Sequence, residues 1–234
     1  MDDFSESLRL TFHLLISLEP ELVEIVTLSL WVSLSATALA AIVGLPMGAA
    51  VAVLRFPGRG ALTALLNASM GLPPVVVGLA VYLLLSRAGP LGELGLLFTP
   101  QAMVIAQFLL ITPIIAALAR QTLADLDAQS REQLQVLNTR PARMVTALLW
   151  DGRFSLVTTV LAGFGRAIAE VGAVLIVGGN ISGVTRVMTS TIALETSKGN
   201  LALALALGII LVTIALSVNL LVMSVQNAAA RRYA

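Results

Sequence analysis

Arg120 to Arg153 reads RQTLADLDAQSREQLQVLNTRPARMVTALLWDGR, and the fold is decided by this stretch. It holds nine charged residues: Arg120, Asp125, Asp127, Arg131, Glu132, Arg140, Arg143, Asp151 and Arg153. The runs on either side are almost wholly apolar and long enough to cross a membrane. A charged segment of this length cannot sit in lipid, so it is an aqueous-facing loop between spans. It also carries helix signals. Ser130-Arg131-Glu132-Gln133 has the capping-box form, in which the serine and the glutamine three residues on satisfy exposed backbone donors. The pattern predicts a short helix through Leu137, closed by Asn138 in the left-handed conformation. Thr139 with Pro141 then opens a second helix. A helix–turn–helix knuckle held outside the membrane is a docking part.

Composition agrees. Of 234 residues, 58% are hydrophobic and 12% charged, with a mean hydropathy of +0.95. Soluble domains carry about a quarter charged residues, so this is an integral membrane protein. The net charge of +1 gives no reason to expect nucleic acid as a partner. The absence of cysteine excludes disulfides, thiol catalysis and cysteine metal sites, and the one histidine, His13, excludes histidine-cluster metal sites. There is no Gly-x4-Gly-Lys-Ser/Thr loop to cradle a nucleotide phosphate, so any ATP used must be bound by another chain.

Working outward, five segments reach the roughly 20 apolar residues a span requires. They lie at approximately 24–54, 60–86, 97–119, 154–178 and 201–225. The acidic N-terminus, Met1 to Glu6, lacks the basic start and small-residue cleavage site of a signal peptide. Phe4, Leu8, Phe12 and Leu15 fall at helical spacing and predict a short helix lying at the interface over 1–22. His13 in that segment reads as a surface or packed residue. With the central loop inside, nine Lys/Arg residues fall on the cytoplasmic side and four (Arg9, Arg87, Arg186 and Lys198) on the outer side; Arg166 is in the membrane. That bias puts the N-terminus outside and the C-terminus in the cytoplasm.

Two spans carry residues that a plain anchor does not need. In the first span Gly44-Leu45-Pro46-Met47-Gly48 reads as close helix packing with a kink. The second contains Gly71-Leu72-Pro73-Pro74-Val75-Val76-Val77-Gly78, where adjacent prolines remove two backbone donors and interrupt the helix. Such a break is either a structural kink or the wall of a wet transport cavity. The fourth span reads Gly163-Phe164-Gly165-Arg166-Ala167-Ile168-Ala169-Glu170-Val171-Gly172-Ala173. Arg166 and Glu170 stand one helical turn apart, and charges within a span face the bundle interior, paired or wet. Arg166 is either the structural partner of Glu170 or a contact for an anion.

These residues resemble those of the permease subunits of ABC importers. That family's cytoplasmic loop carries Glu-Ala-Ala, a glycine four residues after the second alanine, and a hydrophobic-x-Leu-Pro end. The matching positions here are Glu132-Gln133-Leu134, Asn138 and Leu148-Leu149-Trp150-Asp151, where only the glutamate and the spacing survive. Leu72-Pro73-Pro74-Val75-Val76-Val77-Gly78 resembles the molybdate- and sulfate-type permeases, as does the stretch from Phe98-Thr99-Pro100 to Thr112-Pro113. Arg166 to Ala173 followed by Gly178-Gly179-Asn180-Ile181 is similar to the oxyanion-permease signature. With Ala193-Leu194-Glu195-Thr196-Ser197-Lys198-Gly199, it looks most like the tungstate branch.

The resemblance implies an all-α polytopic bundle of about five transmembrane helices, one permease domain over 1–234, with a cytoplasmic coupling loop at 120–153. It implies the membrane subunit of an ATP-driven importer for a tetrahedral oxyanion in the inner membrane, tungstate first and molybdate or sulfate next. The implied partners are a second copy of the chain, with the path at the two-fold axis, two ATPase subunits holding ATP and Mg, and an external binding protein. Coupling then falls to Glu132, Gln133, Leu134, Asn138, Thr139, Arg140 and Arg143, and the path or gate to Pro73, Pro74, Gly78, Arg166, Glu170 and Gly172. No cofactor is expected in this chain, and no regulatory domain after Ala234. A non-transporting membrane anchor would need neither the broken span nor an ATPase. An intramembrane enzyme would need a catalytic constellation beyond Arg166 and Glu170.

Overall fold

The computed structural model describes the backbone of residues 2–17, 19–136 and 141–233, and the side chains of 9–14, 16–17, 19–126 and 144–226. Among the described residues there is no strand. Ten α-helices follow in order: α1 (Asp2–Ser17), α2 (Pro20–Val53), α3 (Arg59–Ser69), α4 (Pro74–Leu85), α5 (Pro100–Val136), α6 (Pro141–Asp151), α7 (Arg153–Ile168), α8 (Gly172–Gly178), α9 (Met188–Lys198) and α10 (Leu201–Tyr233). Pro20–Val53, Pro100–Leu126 and Leu201–Gln226 are each long and apolar enough to cross a membrane. Two bent pairs, Arg59–Ser69 with Pro74–Leu85 and Met144–Asp151 with Arg153–Ile168, raise the number to five if each pair is one span. This is the all-α polytopic bundle expected from the sequence.

Two local expectations need correction. The loop was expected to start a new helix after Ser130, but α5 runs unbroken from Pro100 to Val136. From Ile114 to Val136 there is neither glycine nor proline, so the helix propagates and the i−4 carbonyls serve the donors that the capping box would have served. Leu137, Asn138, Thr139 and Arg140 lie outside the described residues, and α6 opens at Pro141 as expected. The segment 154–178 is not one helix either. It breaks at Ala169-Glu170-Val171 between α7 and α8, and the bend of 74° that makes a span pair lies earlier, between Asp151 and Arg153.

The chain packs as two units. The first takes residues 1–35, 74–107 and 166–217. In it α4 lies on α8 so closely that a Cβ on Gly78 would stand 2.7 Å from the Ala173 Cα. Small residues let two helix backbones meet where larger ones hold them apart. Val81, Met103, Val174, Val177 and Met188 are among its buried side chains. Phe98 donates its N–H to the Val177 carbonyl at 3.0 Å and sets its ring edge-on to Tyr82, centroids 6.2 Å apart. The turn after α8 needs left-handed backbone at Gly179 (φ 70°) and Asn180 (φ 52°), residue types that tolerate it. Ser190 holds that turn by donating to Asn180 Oδ1 at 2.8 Å, and Thr185 by donating to the Gly178 carbonyl at 2.5 Å. At the N-terminus, Thr11 of α1 donates to the Ala202 carbonyl at 3.0 Å, while Phe12, His13 and Ile16 remain exposed.

The second unit takes residues 36–73, 108–165 and 218–234. Its core joins Ala49, Ala52, Val53, Ala119, Leu123, Leu148 and Leu156, with a neighbouring cluster of Val51, Leu66, Ala116 and Ala117. The glycines of the Gly44–Gly48 stretch face α5, where a Cβ on Gly48 would stand 2.5 Å from the Ala116 carbonyl oxygen. Arg59 closes the end of α2 by donating to the Val51 and Ala52 carbonyls, both at 2.7 Å, a cation on the negative helix terminus. Arg153 stacks over Trp150 and Phe154 at 4.8 and 4.7 Å.

Gly48→Val forces the α2 and α5 backbones apart and lowers stability by about 1–3 kcal/mol, the range for overpacking. The thermal midpoint of the purified chain in detergent measures it. Gly60→Ala, where nothing lies within 4 Å of the added carbon, holds or raises that midpoint.

Candidate functional site

The breaks in the second and fourth spans build the site. Between α3 and α4 the chain passes through Met70, Gly71, Leu72 and Pro73. The N–H groups of Met70, Gly71 and Leu72 bond to the carbonyls of Asn67, Ala68 and Ser69 at 3.3, 3.0 and 3.3 Å. Pro73 and Pro74 have no N–H to place. The prolines thus interrupt the helix without leaving a donor stranded in the break, and Pro74 opens α4 at the position where its fixed φ is helical.

The break in the fourth span is held by side chains. Glu170 lies just past the end of α7, its side chain only 4% exposed. Its Oε2 accepts from Arg166 Nη1 at 2.6 Å, and its Oε1 accepts the Ala173 N–H at 3.2 Å in the first turn of α8. The carboxylate therefore caps α8 as it pairs with the arginine. The Glu170 carbonyl accepts from Thr189 Oγ1 at 2.8 Å, and the Ala167 carbonyl accepts from Gln107 Nε2 at 3.0 Å. Gly172 admits α4 at this point, since a Cβ there would come within 2.7 Å of Val75 Cγ2.

Of the residues expected at a path or gate, Pro74, Gly78, Arg166, Glu170 and Gly172 come together at the α4–α8 contact and the break beside it, with Pro73 in the turn before α4. The spacing of Arg166 and Glu170 was read as one continuous helix. The helix ends between them at Ile168, yet they still pair. Arg166 is 41% exposed, so one N–H is fixed on the buried acid while the guanidinium keeps an open face that can meet an anion. Glu132, Gln133 and Leu134 lie in the last turns of α5 and Arg143 in the first turn of α6, but their side chains are outside the described residues.

Gln107 and Thr189 were missed as supports of the break. Gln107 could have been found, because a lone amide in Met103-Val104-Ile105-Ala106-Gln107-Phe108 is a costly polar residue within a span. Thr189 sits in an ordinary mixed helix and carries no such signal. Glu195, in the stretch that looks like the tungstate branch, closes the α9–α10 turn. Lys198 Nζ donates to it at 2.8 Å and Asn200 Nδ2 at 2.9 Å. The Lys198 hydrogen bond holds its carboxyl below the usual value, against the opposing effect of burial. Among the described residues no cluster of three or more His, Cys, Asp or Glu could hold a metal ion.

No family model matches the sequence. Curated relatives do. The chain is 41% identical over 205 residues to the "Probable anion ABC transporter permease protein" of Haloferax volcanii, covering 86% of this chain and 88% of that one. It is 38% identical over 227 residues to the tungstate uptake system permease protein of Peptoclostridium acidaminophilum, covering 97% of this chain and all of the other. A sulfate transport system permease protein of Escherichia coli strain K12 is 28% identical over 174 residues, 71% of this chain and 60% of the other.

If the Arg166–Glu170 pair is structural, Arg166→Glu combined with Glu170→Arg recovers much of the assembly that either single change loses. The recovery is incomplete, because an arginine at 170 cannot accept the Ala173 N–H. Size-exclusion profiles of the four proteins measure it. Recovery of assembly without uptake assigns Arg166 a contact with the transported anion as well.

Proposed function

Since the chain belongs to the permease subunits of ABC transporters for anion uptake, we propose that its cargo is a tetrahedral oxyanion, tungstate first. It is a multi-pass membrane protein and a transport subunit rather than an enzyme. The observation that carries the proposal is the 38% identity to a tungstate uptake permease over the full length of that relative. A second tungstate uptake permease, from Campylobacter jejuni, is 39% identical over 155 residues. Sulfate is the second reading, favoured by relatives that are more distant and cover less of the chain.

In this reading two copies form the path, two separate ATPase chains bind ATP and Mg, and an external protein delivers the anion. The N-terminus is outside and the C-terminus in the cytoplasm. The apolar window of Leu201–Gln226 is only 22% buried within one chain, which favours lipid or a second copy covering it. The segment around Glu132, Gln133, Leu134, Asn138, Thr139, Arg140 and Arg143 docks into a groove on the ATPase. Because α5 runs from Ile114 to Val136 with neither glycine nor proline, about 35 Å at 1.5 Å per residue, a push on Glu132 is carried back along that stretch with no hinge at Ser130. Transport is coupled only if the docked segment makes different contacts in the two states.

The test is reconstitution in vesicles with an ABC ATPase and a substrate-binding protein from the same organism. Tungstate-loaded binding protein stimulates ATP hydrolysis several-fold and drives uptake. Glu132→Lys keeps insertion and dimer formation but loses both activities and the ATPase. Stimulation by sulfate-loaded protein alone moves the cargo to the second reading, and failure of any ATPase to copurify with the wild-type chain returns the anchor reading.

A further inference from the structure

Beside the broken fourth span, the first unit encloses a small polar cavity whose walls include Ser29, Val32, Ser33, Gln107, Glu170 and Thr189. It offers about 10 Å³ to the centre of a water, room for one molecule. Gln107 is 3% exposed and its Oε1 has no partner within the protein. The amide cannot be turned to remedy this. The Ala167 carbonyl faces the NH2 group and also accepts the Glu170 N–H at 3.1 Å, so a flip would set two carbonyl oxygens against each other. A buried acceptor left empty costs about 1–3 kcal/mol.

The chemistry of the walls decides the occupant. Ser29 spends its hydroxyl proton on the Ile25 carbonyl at 2.7 Å while accepting the Met188 N–H at 2.8 Å, and Thr189 spends its own proton on the Glu170 carbonyl at 2.8 Å. Both therefore turn lone pairs rather than protons toward the cavity. The Glu170 carboxylate is already met by Arg166 and the Ala173 N–H. An anion would meet the Gln107 oxygen and the Glu170 carboxylate, an apolar group would leave Gln107 Oε1 empty, and a cation would find no uncompensated charge. A water has two protons to give. We infer that one water is bound here, donating to Gln107 Oε1 and to a hydroxyl oxygen of the wall. It ties α5 to a neighbouring helix beside the break between α7 and α8.

The test is an experimental map of the assembled transporter in lipid nanodiscs at a resolution that shows ordered water, recorded once in sodium and once in choline salts. The expected result is one peak about 2.6–3.2 Å from Gln107 Oε1 in both. An empty cavity in a map that resolves other buried waters overturns the inference, as does a peak present only in sodium. A second test is Val32→Ile, which pushes a methyl into the cavity. Displacing the water lowers the thermal midpoint by about 2–4 °C, and this cost disappears in a Gln107→Leu background. A raised or unchanged midpoint marks a dry void, and a cost that persists without Gln107 marks simple crowding. Either result overturns the inference.

Discussion

A backbone N–H or C=O without a partner costs several kcal/mol in lipid, and the breaks at Met70–Pro74 and Ala169–Val171 are arranged around that constraint. At Met70–Pro74 the solution is subtraction: three donors fold back onto the preceding turn and two prolines bring none. At Ala169–Val171 it is addition, with the Glu170 carboxylate, Thr189 and Gln107 supplying the missing partners. A carboxylate buried for this purpose needs a cation, and Arg166 provides it from a half-open position. The charges that stand out in this stretch thus follow from the break.

The sequence made the three unbroken spans legible because span length and hydropathy are properties of a window, and bilayer thickness sets the window. Pro73-Pro74 was legible as a break because proline acts on the backbone whatever surrounds it. Ala169-Glu170-Val171 was not, since none of these residues forbids a helix and the interruption comes from partners at 107 and 189, far away in sequence. Ser130-Arg131-Glu132-Gln133 misled for the opposite reason. Its capping form is local, and it loses to a helix already propagating through residues that do not oppose it. Gly178-Gly179-Asn180-Ile181 was recognised as a family signature, and the structure supplies its cause in two left-handed residues and the hydroxyls that hold them.

One helix links the two parts of the functional reading. Gln107, which supports the break, and Glu132, in the segment proposed to dock on the ATPase, both belong to α5. Pro113 lies between them, where the missing N–H removes one rung of the helix ladder.

The claim on which the account turns is that the Glu170 carboxylate holds the break in the fourth span. Hydrogen–deuterium exchange on the membrane-embedded chain, wild type against Glu170→Leu, tests it directly through peptides covering 168–178. The account predicts exchange at Ala173 and the rest of α8 at least about tenfold faster in the variant, the loss of a charge-assisted bond worth roughly 1.5–3 kcal/mol. Peptides covering 108–118 should be unchanged. Equal protection of 168–178 in both proteins would contradict it, leaving the carboxylate no part in holding the break.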